Sequence, residues 1–136
     1  MDLVTGSTGF IGNVLVRKLI KRGRKVRAFF RTTSDTIALK GLPAERITGN
    51  ILDPESLTEA FRGVDTVYHM AAKVSIMPGE DQMIRKINLE GTRNIIKACI
   101  DAGVKKLIYT STIHALKEPP KGTTVDESLQ YDPKNE

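Results

Sequence analysis

The stretch VTGSTGFIG, residues 4–12, constrains this chain more than any other part of it. Gly6, Gly9 and Gly12 stand three residues apart, between the short apolar run DLVT (2–5) and an amphipathic run from Phe10 to Arg22. Within that second run Ile11, Val14, Leu15 and Leu19 recur at helical spacing, which predicts a helix with those residues on its inner face. A strand that turns at once into a helix, with backbone N–H groups aimed at a phosphate, needs glycines so placed. The first permits the tight turn, the second removes a side chain where the ligand approaches, and the third lets the helix press on the strand. The spacing GxxGxxG is weak evidence alone; its place between a strand and a helix strengthens it.

The same alternation continues along the chain. KVRAFF (25–30) and RITG (46–49) read as strands. Asp53 followed by Pro54 starts a helix, as an N-cap with proline at the first helical position, and that helix runs to Phe61 and stops at Gly63. VDTVYHMAA (64–72) is a fourth strand. The next helix, from about Asp81 to Ala102, has the stripe Ile84, Ile87, Gly91, Ile95 and Cys99 and a glycine stop in DAG (101–103). Gly91 on that stripe implies close packing against a sheet. VKKLIYTST (104–112) supplies a fifth strand, after which the chain turns polar and proline-rich. Strands alternating with helices imply an α/β, doubly wound parallel sheet with right-handed crossovers and the order 3-2-1-4-5. The glycines, Ala71–Lys73 and Ser111–Thr112 then meet at the carboxyl ends of the strands, where such sheets bind ligands.

At 136 residues the chain fits one domain, divided here into residues 1–116 and a loop or tail over 117–136. Its single cysteine, Cys99, cannot form an internal disulfide, no apolar run has the length of a membrane span, and the N-terminus lacks a signal-peptide layout. A cytoplasmic protein with no membrane partner is expected, and no metal site. The net charge of +5 comes from RKLIKRGRKVR (17–27), with seven basic residues and no acid. Such a block can mark a nucleic-acid surface; the preferred alternative is a solvated helix end running into a strand, beside a phosphate-bearing ligand.

VTGSTGFIG, GNILDPESL, VYHMAAKVS, INLEGTRNIIKAC and VKKLIYTST together resemble the successive motifs of extended short-chain dehydrogenases/reductases. These are the NAD(P)-dependent epimerases and dehydratases, with the dihydroflavonol-reductase-like enzymes, and the resemblance spans about residues 2–130. It implies a Rossmann-type domain in which Gly6, Ser7, Thr8, Gly9, Phe10, Ile11 and Gly12 wrap the dinucleotide pyrophosphate. At the end of strand 2 the family's NAD enzymes have a carboxylate for the ribose hydroxyls. Here Phe30 is followed by Arg31, as in NADP-using members, so NADP is expected, with NAD the alternative. Asn50 and Ile51 stand where the family usually has Asp and an apolar residue at the adenine. Ala71, Ala72 and Lys73 match the segment lining the ribose and nicotinamide, and Asn88 matches a helix asparagine that braces the active-site backbone. The catalytic hydroxyl is the last of a run such as YTST, which makes Thr112 the candidate and Ser111 its neighbour.

The resemblance also implies a catalytic Tyr with a Lys four residues later. Tyr68, Tyr109 and Tyr131 are followed at that distance by Ala72, Ile113 and Asn135, so none fits. The Tyr helix and substrate region are therefore expected beyond Glu136, leaving a cofactor half that binds without turning over. The implied function is an NAD(P)-dependent oxidoreductase or epimerase/dehydratase acting on a carbonyl or hydroxyl of a small molecule or nucleotide sugar. The competing reading is a non-catalytic NADP-binding sensor or regulatory module. An unpaired strand edge left without that half predicts a homo-oligomer.

Overall fold

The computed structural model describes residues 1–75, 77 and 79–132, apart from the side chain of His114. Five parallel strands form one sheet: β1 (Asp2–Thr5), β2 (Val26–Phe30), β3 (Glu45–Thr48), β4 (Thr66–His69) and β5 (Lys106–Tyr109). Their order is β3-β2-β1-β4-β5, as the alternation of strands and helices predicts. The register places Thr5 level with Phe29 on one side and His69 on the other, so the strands end together at one edge.

Successive strand residues face opposite sides and build two cores. Val4, Ala28 and Phe30 pack with Val16 and Leu19 of α1 (Phe10–Lys21) on one face. Leu3, Phe29 and Val67 pack on the other face, with Leu57 of α2 (Pro54–Ala60) and Ile95 and Cys99 of a second long helix. Asp53 caps α2 by accepting from the Glu55 N–H, and Pro54 opens it. Arg27 binds the carbonyls of Ala60 and Arg62 at the other end of that helix.

Two helix details differ from the sequence-based expectation. The inner face of α1 is Gly12, Val16 and Leu19, while Ile11 and Val14 are exposed. The glycine sets the rotation: a Cβ at position 12 would overlap the Gly6 carbonyl oxygen, so the helix presses on the β1–α1 turn there. The long helix runs as α3 (Asp81–Arg85), a π turn (Lys86–Glu90) and α4 (Gly91–Asp101). A helical run over 81–102 was expected, the π turn was not. Gly91 packs closely, but against the side chain of Ile51 in the β3–α2 connection rather than against a strand, with an atom of that residue 2.6 Å from where a Cβ would stand.

Three residues of the basic block take structural roles, while Lys18, Lys21, Arg22 and Lys25 are exposed. Arg17 bonds Asn13 and the Ala38 carbonyl, Arg24 bonds Asp2, and Arg27 bonds Glu45 besides the carbonyls already named. Beyond β5 the chain makes a short 3-10 turn (Ile113–Ala115), and residues 117–130 form a loop that closes on it. Leu116 bridges Tyr131, and the Asp132 N–H donates to the Ala115 carbonyl. No helix among the described residues is long and apolar enough to cross a membrane.

Candidate functional site

A cavity of about 640 Å³ opens at the carboxyl edge of the sheet, between the loops that follow β1, β2, β3 and β4. Gly6 forms its floor at φ +62°, a conformation that L side chains rarely adopt. A Cβ there would also lie 2.8 Å from the Ala71 N, on the neighbouring strand's continuation. At Gly9 the surroundings are open, with only the Gly6 carbonyl oxygen within reach at 3.3 Å. Gly9 is the N-cap of α1, and no side chain caps that helix or places an acid in its first turn. The positive end of a twelve-residue helix therefore lies beside the cavity, with its N-cap Gly9 in the lining.

The nominated residues divide into those that line the cavity, those that brace it from behind and those that stand apart from it. Gly6, Thr8, Gly9, Arg31, Asn50, Ile51, Ala71, Ala72 and Lys73 line it. Ser7, Phe10, Ile11 and Gly12 belong to the loop and helix start but not to the lining. Ser7 turns its hydroxyl inward to the Phe29 carbonyl at 3.0 Å, tying the turn to β2, while the Phe10 and Ile11 side chains are exposed. Asn88 acts on the lining from behind: its amide accepts from the Lys73 N–H at 2.8 Å and donates to the Lys73 carbonyl at 2.9 Å. Ser111 and Thr112 follow β5 on the exposed surface, outside the cavity lining.

The electrostatics favour an anion. Arg31 is exposed at the end of β2, and its carbonyl accepts from the Ser34 N–H at 2.9 Å in a turn that brings Ser34 to the wall. The nearby Asp35 carboxylate caps the Ile37 N–H, outside the lining. Asn50 folds an Asx turn, its side-chain oxygen accepting from the Leu52 N–H at 3.0 Å, which leaves that oxygen one further lone pair. Lys73 pairs with Glu80 at 3.0 Å, and hydrogen bonds from Ser75 and then Lys73 hold the Glu80 carboxyl below its ordinary range. No grouping of His, Cys, Asp and Glu suited to a metal occurs among the described residues.

Sequence reasoning passed over Phe29, Ser34, Gly49, Met70, Met83 and Ile87, which also line the cavity. Gly49 could have been found from its place right after β3, where a Cβ would meet the Phe29 ring at 2.5 Å.

The sequence model of the 3-beta hydroxysteroid dehydrogenase/isomerase family matches residues 3–136. Sterol demethylase protein B of Methylococcus capsulatus is 44% identical over 122 residues, covering 90% of this chain and 37% of that protein. A putative dihydroflavonol 4-reductase of Synechocystis is 35% identical over 127 residues, again 93% of this chain and 37% of the relative. The chain thus spans a little over a third of the length of the curated relatives it matches. Among solved structures, the Thermus thermophilus UDP-glucose 4-epimerase in complex with NAD superposes with a TM-score of 0.85 at 31% identity, over 98% of this chain and 44% of that one. A short-chain dehydrogenase/reductase superfamily protein from Agrobacterium tumefaciens with bound NAD gives 0.83 at 32%, over 98% and 39%.

Proposed function

The chain belongs to the 3-beta hydroxysteroid dehydrogenase/isomerase family, and from that membership we propose that it is the cofactor-binding part of an NADP-dependent oxidoreductase or epimerase/dehydratase-type enzyme. The cavity fits the cofactor on its own terms. A glycine that keeps a side chain out of the cavity, at the uncapped N-terminus of α1, suits a pyrophosphate. In this assignment the backbone from Gly6 to Gly12 holds the pyrophosphate, Asn50 and Ile51 meet the adenine, and Ala71, Ala72 and Lys73 line the nicotinamide end. When bound, the nicotinamide supplies the hydride acceptor or donor. Thr112, with Ser111 beside it, offers a hydroxyl to the oxygen of a carbonyl or alcohol substrate, a small molecule or nucleotide sugar, and stabilises charge as it develops there.

The observation behind NADP rather than NAD is Arg31 standing exposed at the cavity wall after β2, with no carboxylate among the described residues of the lining. A carboxylate there would repel a 2′-phosphate, whereas a guanidinium can fork onto it. Calorimetric titration with NADPH and NADH tests this. Arg31→Ala is expected to weaken NADPH binding by about 1–3 kcal/mol and to leave NADH almost unchanged. Tighter binding of NADH than NADPH by the unaltered protein would sink the assignment.

A further inference from the structure

Behind the wall of the cavity, at the last position of β4, His69 is 1% exposed and belongs to neither the lining nor the apolar clusters. Its Nδ1 lies 2.7 Å from the Thr5 hydroxyl and its Nε2 3.2 Å from the Thr92 hydroxyl. The neighbours decide which nitrogen carries the proton. Thr5 Oγ1 already accepts from the Met70 N–H at 3.1 Å and the Ala71 N–H at 3.2 Å, which occupies both of its lone pairs. Its one proton therefore goes to Nδ1. Nε2 then carries the ring hydrogen and donates to Thr92 Oγ1, whose own proton goes to the Asn88 carbonyl at 2.6 Å.

Asn88 closes the chain of bonds on the cavity wall, because its side chain grips the Lys73 backbone by both N–H and carbonyl. Segment 70–73 is thus held at its start by Thr5 and at its end by Asn88, and the imidazole joins the two grips. The π turn that contains Asn88 is where such irregular helix geometry tends to serve a site. Only a neutral ring satisfies every partner. A proton on Nδ1 would confront the Thr5 O–H with no lone pair left to accept it.

We propose that His69, as the neutral Nε2–H tautomer, is a positioning residue that sets the backbone of Ala71–Lys73 against the dinucleotide without touching it. This rests on the assignment of the cavity to a dinucleotide. The groups facing the ring are neutral hydroxyls from β1 and α4 and, from β5, the Tyr109 ring at 5.6 Å. Burial alone accordingly pushes the imidazole down to about 4, in keeping with the bonding pattern.

The test pairs nitrogen-15 spectra of the histidine ring with NADPH and NADH titrations of the whole protein and four variants. The ring is expected to show protonated Nε2 and bare Nδ1 at pH 7 and still at pH 5. His69→Phe keeps the ring volume but strands the Thr5 proton, and is expected to weaken dinucleotide binding about tenfold or more. His69→Asn, whose side-chain oxygen can still take that proton, is expected to fall between. Thr92→Val is expected to weaken binding severalfold and Thr92→Ser to restore it, which decides the matter if His69→Phe does not fold. A charged ring or an Nδ1–H tautomer at pH 7 would overturn the proposal, as would binding by His69→Asn and Thr92→Val within about twofold of the unaltered protein. If the unaltered protein binds neither dinucleotide, the cofactor assignment itself fails, whatever the spectra show, and this proposal fails with it.

Discussion

The two edges of the sheet are held by different chemistry. At the amino edge the bonds are ionic: Asp2, fully buried, takes hydrogen bonds from Arg24 at 2.7 and 2.6 Å, and Asp65 pairs with Lys105 at 2.7 Å. A hollow of about 400 Å³ lies there, but the carboxylate of Asp65 and the guanidinium of Arg24 on its wall are already paired. At the carboxyl edge the strand ends are tied by neutral groups, namely Ser7, Thr5, His69, Thr92 and Asn88. The ion pair of Lys73, which lines that cavity, with Glu80 is the ionic exception among the described residues there. Paired charges secure the amino end of the sheet, while the glycine-floored carboxyl end puts the start of α1 and Arg31 beside the cavity, the arrangement on which the proposed dinucleotide site rests.

Gly9→Val should break the comparison most sharply. Its side chain would enter the open space above the turn, so dinucleotide affinity is expected to fall at least a hundredfold, about 3 kcal/mol. Circular dichroism is expected to show the fold retained, because little but the Gly6 carbonyl lies within reach of the new Cβ. Normal binding by this variant would mean that the cofactor lies elsewhere.

Acid should separate the two edges in sequence. His69 is lowered by burial from 6.5 to about 4, so its contribution to stability is complete above about pH 6.5 and is lost as pH falls to 4. That loss is on the order of 3 kcal/mol at most. Asp65 is lowered from 3.8 to about 2 by hydrogen bonds from Lys105 and the N-terminal amine, so the amino edge keeps its contribution until pH falls below about 4 and loses it toward 2. Urea unfolding between pH 7 and 2 is expected to show the first loss before the second, and His69→Asn to lack the first. A single loss confined to below pH 4 would contradict the neutral relay.

The smallest effect is expected from Asp2→Ala. It removes two charged hydrogen bonds from a buried site and should lower stability by about 2 kcal/mol while leaving dinucleotide affinity unchanged. A parallel loss of affinity, measured under conditions where the variant remains folded, would show that the two edges are not independent.

Sheet order and the glycine turn were legible because both depend on local pattern. GxxGxxG between an apolar run and an amphipathic one admits few conformations, and β1 and β3 each run directly into a glycine. The rotation of α1 was not legible: Ile11 and Val14 look like an inner face, and only contact with the Gly6 carbonyl shows that Gly12 takes that place. Nor was the π turn, since Ile87, Gly91, Ile95 and Cys99 keep an unbroken spacing of four that ordinary helix also satisfies. His69 was invisible for a related reason. A lone histidine in a strand has no local signature, and its partners Thr5 and Thr92 lie 64 and 23 residues away.

The most direct measurement is an amide-resolved spectrum recorded while NADPH is added. The account expects the amides of Gly6, Gly9, Arg31, Ala71 and Lys73 to shift with a common affinity, and those of Arg24, Asp65 and Lys105 to stay in place. Shifts concentrated at Arg24, Asp65 and Lys105, or no shifts at the glycine turn, would contradict it.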